Sequence, residues 1–254
     1  MSQVEYDPLA DYYELCNSSV NYDAQAFLVA EAWERYGNPK PPRVLDVACG
    51  PGLLSRRLLS QGMTVVGIDL SPHLLVQAAR EPGLRVAQAD MRRLPFRGAF
   101  DIATCLLHTI NYMTDDDDLR AALAALRDAV EPGGLVLLDF LAYEPRSEWN
   151  SQWSETVTGD GVTIVCRHHQ TANWGTMVAT DRHTYTVRDG DRVWSVSGED
   201  LLRITSPREM RLFAADVGLE VLQVTGKYAL DKGLGWDGGV LVARRPRPPG
   251  GTFR

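Results

Sequence analysis

Three aspartates in the first half of the chain stand in or just after apolar runs, and Asp69 among them suits recognition of a nucleoside. Asp46 lies in Val44-Leu45-Asp46-Val47 and is followed by Gly50-Pro51-Gly52; Asp69 ends Thr64–Ile68, and Asp90 follows Leu84–Ala89. A carboxylate accepts two hydrogen bonds at once, which fits Asp69 to a pair of ribose hydroxyls. The glycines fit a loop whose backbone approaches a ligand, since a Cβ at Gly50 or Gly52 would obstruct that approach. Dinucleotide-binding folds also use a glycine loop and an acid like Asp69. Their G-x-G-x-x-G, however, asks for a third glycine where this chain has Ser55. A second group of candidates is Leu106-Leu107-His108-Thr109-Ile110-Asn111-Tyr112. There His108 suits a general base, with Asn111 or Tyr112 as substrate ligands. The alternative is that His108 lines the pocket by shape and backbone contacts alone.

These residues need elements to hold them. Asp7 to Tyr36 reads as helical, ended by Pro39, Pro41 and Pro42. Arg43–Ala48, Thr64–Ile68, Leu84–Gln88, Phe100–Cys105 and Gly134–Phe140 read as strands, apolar on both faces. Between them, Leu53–Gln61 suits a helix closed by Gly62, and Ser71-Pro72 opens another that runs to Arg80. Leu119–Val130 is an amphipathic helix, and the acidic run Asp115–Asp118 before it reads as its first turn rather than a metal site. Strands alternating with helices imply βαβ units and a doubly wound, seven-stranded, mostly parallel sheet. After Tyr143 the period changes. Trp153 to Ile204 alternates apolar and polar residues, with a hairpin signal at Asp189-Gly190, as in an antiparallel insert after strand 5. Consecutive His168 and His169 would then point to opposite faces. Ser206-Pro207 opens a last helix to Val217, and Leu219–Val224 and Gly239–Ala243 complete the sheet. The division expected is a helical cap over 1–42, a cofactor-binding domain from 43–142 and 205–245, the insert 143–204, and a disordered Pro/Gly/Arg tail, 246–254.

A net charge of −7 over 254 residues argues against a general affinity for phosphate backbones. Four scattered cysteines, with no CxxC pair, give neither metal-ligand spacing nor a disulfide framework. No apolar run approaches the roughly 18 residues that would span a membrane. The acidic, tyrosine-rich start does not read as a signal peptide. The expected location is the cytoplasm.

Asp46 before the glycines, Asp69 after strand 2, Asp90-Met91 after strand 3 and Pro132-Gly133-Gly134 before strand 5 fall in one order. In that order the chain resembles class I S-adenosylmethionine-dependent methyltransferases, nearest to the glycine and amino-sugar N-methyltransferases. Those share the Leu45–Gly52 wording and carry a β insert after strand 5. Pro51 stands where they commonly have Thr. The resemblance implies a Rossmann-like methyltransferase fold that binds S-adenosylmethionine. Asp46, Ala48, Gly50 and Gly52 would form its loop, and Asp69 and Leu70 would hold the ribose. Asp90 would accept from the adenine amino group, with the Met91 N–H at the ring. Leu106 and Tyr13 would line the site. Tyr12 and Tyr22, beside Tyr13, are further candidates to cover the methionine end.

The reaction implied is methyl transfer to an N or O nucleophile of a small molecule, with no metal. Asp139 lacks a matching acid after strand 4 for a metal-dependent site. Cys105 lacks the Pro-Cys context, and strand 4 the NPPY-type motif, of nucleic-acid methylases, which disfavours DNA or RNA as substrate. The insert is expected to cover the acceptor as a lid, with Trp153 and Tyr185 as its test positions, the competing role being a homodimer interface. Two readings from other classes are an NAD(P)-dependent oxidoreductase and a non-catalytic S-adenosylmethionine-binding protein.

Overall fold

A computed structural model of the chain describes residues 7–141, 150–226, 228, 230 and 238–248. The helical start is not one helix. A 3₁₀ stretch, Asp7–Tyr12, leads into the short α1 (Tyr13–Cys16), and α2 (Tyr22–Tyr36) starts afresh. The break lies in Asn17-Ser18-Ser19, where polar side chains compete for the backbone. The Asn17 amide donates to the Tyr13 carbonyl, and Asn21 caps α2 by accepting from the Ala24 N–H at 2.9 Å.

The alternation that follows is β1 (Arg43–Val47), α3 (Leu53–Ser60), β2 (Thr64–Asp69), α4 (Pro72–Ala78), β3 (Arg85–Gln88), β4 (Phe100–Cys105), α5 (Asp116–Ala129) and β5 (Val130–Phe140). Asp115 caps α5, its carboxylate accepting from the Asp118 N–H at 2.8 Å, so the acidic run begins the helix. β5 starts four residues before the expected Gly134, because Val130 pairs with Phe100 of β4 and Gly133 and Gly134 pair with the backbone of Arg245. Next come β6 (Asn150–Gly159), β7 (Val162–Asn173), β8 (Val178–Asp189) and β9 (Arg192–Arg203). The chain closes with α6 (Pro207–Asp216), β10 (Glu220–Thr225) and β11 (Gly239–Arg244). Ser206 and Glu209 form a reciprocal capping box at the start of α6.

The seven-stranded sheet has the order β10-β11-β5-β4-β1-β2-β3, parallel throughout except for β11, which runs antiparallel to both neighbours. One face buries α5 and α6 through Leu119, Leu123, Leu126, Met210 and Phe213; the other buries α2 and α3 through Leu28, Val29, Leu54 and Leu58. Each such Leu contributes about 1.5–3 kcal/mol of transfer free energy, which fixes the helices against the sheet. β1 lies between β2 and β4, so the strand order reverses beside it, and a crevice opens outside the carboxyl ends of the strands.

The insert is a separate four-stranded antiparallel sheet, β6-β7-β8-β9. Its small core, Ile164, Cys166 and Val187, packs on Leu9 with Tyr12, Leu15 and Trp194 beside it. The expected first part of the insert, including Tyr143 and Trp149, lies outside the described residues. So does most of the expected tail; Arg244 belongs to β11, and Arg245 remains hydrogen-bonded to Gly133, Gly134, Asp128 and Val130. Among the described residues, no helix is long and apolar enough to cross a membrane.

Candidate functional site

The loop after β1 is shaped by left-handed backbone at Ala48 (φ 59°), Gly50 (φ 54°) and Gly52 (φ 85°). Gly50 turns its N–H toward β2, where Asp69 accepts it at 2.9 Å, while the other oxygen of Asp69 accepts the Ser71 N–H at 2.8 Å. Asp69 thus ties the glycine loop to the start of α4. Burial raises its carboxyl above the ordinary carboxylate range, against the lowering effect of the N–H groups of Ser71 and Gly50.

Asp46 does different work from the expected loop contact. It is 3% exposed and accepts from Ser55 Oγ at 2.6 Å and Thr104 Oγ1 at 2.9 Å, joining β1 to α3 and β4. Burial pushes its carboxyl up to about 6, with the two hydroxyls pulling the other way. Ser55 therefore stands at the third-glycine position as a buried partner of Asp46. Gly52 likewise serves packing: a Cβ there would meet Leu84 Cδ2 at 2.9 Å and the φ is left-handed, so the glycine lets α3 begin against the sheet.

A cavity of about 650 Å³ opens over these loops, within the range of small-molecule sites. The structure brings together on its wall Tyr13, Ala48, Gly50, Asp69, Leu70, Asp90, Met91, His108 and Tyr112. Asp46 and Leu106 instead line a much smaller cavity, about 20 Å³, which shares Tyr13, Ala48 and Leu107 with the large one. Gly52 reaches neither. Of Tyr12, Tyr13 and Tyr22, Tyr13 faces both cavities and Tyr22 the small one, whereas the Tyr12 hydroxyl bonds to Asp189 on the insert.

Asp90 reaches the cavity already engaged. Arg92 grips its carboxylate, with Nη2 at 2.6 Å, and pairs with Asp118 at 2.6 Å; that guanidinium holds the Asp90 carboxyl below its usual range. Any ligand amino group must use a lone pair that Arg92 leaves open.

The segment after β4 carries the site's most unusual backbone. Leu107 (φ 61°) and His108 (φ 58°) are consecutive left-handed residues, neither a glycine. Such conformations cost about 1–3 kcal/mol each and persist where surroundings over-determine them. Here the cause is Asp139 at the end of β5, 1% exposed. Its carboxylate accepts the Leu107 N–H at 3.1 Å and the His108 N–H at 2.6 Å. It also accepts the Tyr228 hydroxyl at 2.6 Å, and Tyr228 in turn accepts from Gln25 at 3.1 Å. Asp139 is thus a structural anchor and not the metal ligand for which it was compared; its signal in the sequence is a lone acid in the otherwise apolar run Leu135–Phe140. His108 lines the cavity, while its Nδ1 is buried and has no hydrogen-bond partner among the described residues.

Asn111 is not available to a substrate. Its amide donates to the Arg203 carbonyl at 2.6 Å and accepts from the Leu141 N–H at 3.0 Å, bracing the two connections between sheet and insert. From the insert, Glu155, His183 and Tyr185 complete the cavity wall, while Trp153 stands off it, stacked on His168. Alternation had indicated strands there without saying which face meets the cavity.

Comparison with known proteins agrees with this architecture. Residues 44–134 match the family model of the methyltransferase domain. The chain is 32% identical over 157 residues to a glycine/sarcosine N-methyltransferase of Parasynechococcus marenigrum, covering 59% of this chain and 55% of that protein. It is 26% identical over 223 residues to a dTDP-3-amino-3,4,6-trideoxy-alpha-D-glucopyranose N,N-dimethyltransferase of Streptomyces venezuelae, covering 85% and 92%. An amino pentose methyltransferase from Micromonospora echinaspora, solved with S-adenosylmethionine bound, superposes with a TM-score of 0.74 at 26% identity over 90% of this chain and 93% of that one. The chain spans about half the length of several curated relatives that it matches. With the strand order, the glycine loop and the acids after β2 and β3 in place, residues 44–134 carry a methyltransferase domain, and the chain has S-adenosylmethionine-dependent methyltransferases among its relatives and structural neighbours.

Proposed function

We propose that the chain transfers a methyl group from S-adenosylmethionine to an N or O nucleophile of a small molecule held under the insert. One observation carries this reading: a single cavity is lined both by Gly50, Asp69 and Asp90 and by Glu155, His183 and Tyr185 of the insert. The bound cofactor would supply an electrophilic methyl group on a sulfonium.

The chain's own residues would then bind, orient and exclude water. Asp69 holds the ribose hydroxyls with the lone pairs that Gly50 and Ser71 leave free, and Leu70 packs beside it. Asp90 meets the adenine amino group and Met91 the ring. Ala48 and Gly50 border the cofactor, with Tyr13 over it, while Asp46 supports the loop from beneath. His108 and Tyr112 face the acceptor, where either can take a proton from a hydroxyl; a neutral amine needs no strong base. Positioning and desolvation carry most of such a displacement. The amine-methylating relatives favour an amine acceptor.

The same reading takes 1–42 as a cap, 43–142 with 205–245 as the catalytic domain, and 143–204 as a lid. It keeps a homodimer through the insert as the competing role and leaves nucleic acid out of the partners. It places the protein in the cytoplasm, where its free thiols, three of the four buried, would stay reduced. Calorimetric titration with S-adenosylmethionine, followed by methyl transfer to a panel of amines and hydroxyl compounds, tests it. Cofactor binding without turnover on any acceptor would leave a binding protein; absence of cofactor binding would overturn the reading.

A further inference from the structure

The inner face of the insert carries a cluster that methyl transfer does not require. His168 on β7 lies directly across from His183 on β8, and Asp181 on β8 directly across from Asp200 on β9. Asp181 and His183 are two residues apart on one strand, so all four side chains share a face. His168 Nδ1 is 3.2 Å from Asp181 Oδ2, and His183 Nδ1 is 3.8 Å from Asp200 Oδ2. One donor atom each from His168, Asp181 and His183 lie within 4.8 Å of one another. The four side chains are only 10–13% exposed.

We propose that His168, Asp181 and His183, with Asp200 beside them, form a binding site for one divalent transition-metal ion. Ligand atoms about 2.0–2.1 Å from a tetrahedral ion stand about 3.4 Å apart, so the cluster closes around an ion with small side-chain rotations. Two imidazoles with carboxylates suit zinc, cobalt, nickel, iron or manganese, whereas magnesium and calcium prefer all-oxygen sets.

The charge balance points the same way. Two carboxylates sit at a largely buried place, each facing an imidazole, and a dication neutralises both. An imidazolium pair would balance the same charge, so the geometry is what discriminates. The His183–Asp200 separation of 3.8 Å exceeds hydrogen-bond range but leaves room for an ion between them.

The rings are held before any ion arrives. Trp153 stacks on His168 at 4.8 Å with planes 3° apart, and Tyr185 meets His168 and His183 edge-on at 5.8 and 5.3 Å. Fixed imidazole planes are what a metal site requires of its surroundings. His183 also lines the large cavity, so an ion there lies in the wall facing the proposed acceptor. The site itself does not depend on that acceptor or on methyl transfer.

The test is titration of the tag-free, chelator-treated chain with cobalt(II), followed by its visible ligand-field absorption and by zinc competition. One equivalent should bind. His168→Gln and His183→Gln should each weaken binding by at least about tenfold, since even changes to the partners of metal ligands cost that much. Asp181→Asn provides a further variant, and a circular dichroism melt checks each fold. His169→Gln, on the opposite face of β7, should change nothing. Calorimetry with S-adenosylmethionine on the same samples separates this site from the cofactor reading. Failure of the wild-type chain to bind cobalt overturns the proposal, as does equal binding by a folded His168→Gln/His183→Gln double variant.

Discussion

Asp139 offers the sharpest test of how the site is built, because it touches backbone rather than cofactor. Its carboxylate takes three donors, the N–H groups of Leu107 and His108 and the Tyr228 hydroxyl, at 3.1, 2.6 and 2.6 Å in a place 1% exposed. In Asp139→Asn one oxygen becomes an amide NH₂. If that NH₂ replaces Oδ2, which accepts from both the Tyr228 hydroxyl and the Leu107 N–H, both donors lose their acceptor. If it replaces Oδ1, only the His108 N–H is orphaned, so this is the cheaper orientation. At least one buried donor goes unsatisfied, at about 1–3 kcal/mol, and charge assistance is lost from the remaining bonds, so a total of about 2–4 kcal/mol is expected. Asp139→Ala orphans all three donors and should cost about 4 kcal/mol or more, with nothing left to hold two left-handed residues. Urea denaturation followed by circular dichroism measures both. The ranking wild type, Asn, Ala is the expected outcome. An Asn variant within about 0.5 kcal/mol of wild type, or an Ala variant no worse than Asn, would refute the reasoning. Relaxation of the Leu107–His108 backbone should also lower turnover while cofactor affinity stays within about threefold.

The remaining predictions concern floor and roof. Asp69→Ala should weaken S-adenosylmethionine binding by about 1.5–3 kcal/mol and loosen the glycine loop, measured by calorimetry; unchanged affinity there and in Asp90→Ala would remove both assignments. Gly50→Ala should cost about 1–2 kcal/mol for its φ of 54°, its Cβ in ordinary contact with Tyr13 at 3.5 Å, whereas Gly50→Val should also displace Tyr13 and lower cofactor affinity at least about tenfold. Asp46, its folded carboxyl raised from 3.8 to about 6, should make the fold lose stability as pH rises from 4 through 6, by about 2–3 kcal/mol in total, since the folded state holds that proton more tightly than the unfolded one. Denaturation in the Asp46→Asn variant should be flatter over that window; an unchanged slope would place the titration elsewhere. Tyr185→Ala should alter acceptor kinetics and leave cofactor affinity alone; a dimer-to-monomer change with unaltered turnover per subunit would favour the interface role.

The doubly wound sheet was legible because buried parallel strands declare themselves as apolar runs, and the acids that end them mark the carboxyl edge. Cap chemistry was legible for the same local reason: Ser71, Ser206 and Asp115 each cap the helix that follows. What depended on distant partners was not. The sequence pattern shows Asp46 next to glycines but not that Ser55 and Thr104 claim its oxygens, nor that Asn111 spends its amide on Arg203 and Leu141. Asp139 and Tyr228 are 89 residues apart, and no local rule joins them. The N-terminal helix was overextended because helical periodicity on both sides hid the polar break at Asn17–Ser19.

The two walls of the cavity are built on different principles. The floor is held by main-chain geometry, with the Gly50 N–H on Asp69 and the Leu107 and His108 N–H groups on Asp139, so a change there disturbs backbone as well as chemistry. The roof presents side chains from alternate positions of β6 and β8, whose strand pairing uses backbone groups alone. Exchange of Glu155, His183 or Tyr185 for residues of similar volume leaves that ladder intact, while a slip of one residue would turn all three away from the cavity. On the proposed reading, acceptor chemistry can therefore vary on the insert within a fixed register, with the cofactor loops untouched. Substitution on this face should change which small molecule is methylated long before it changes whether the cofactor binds.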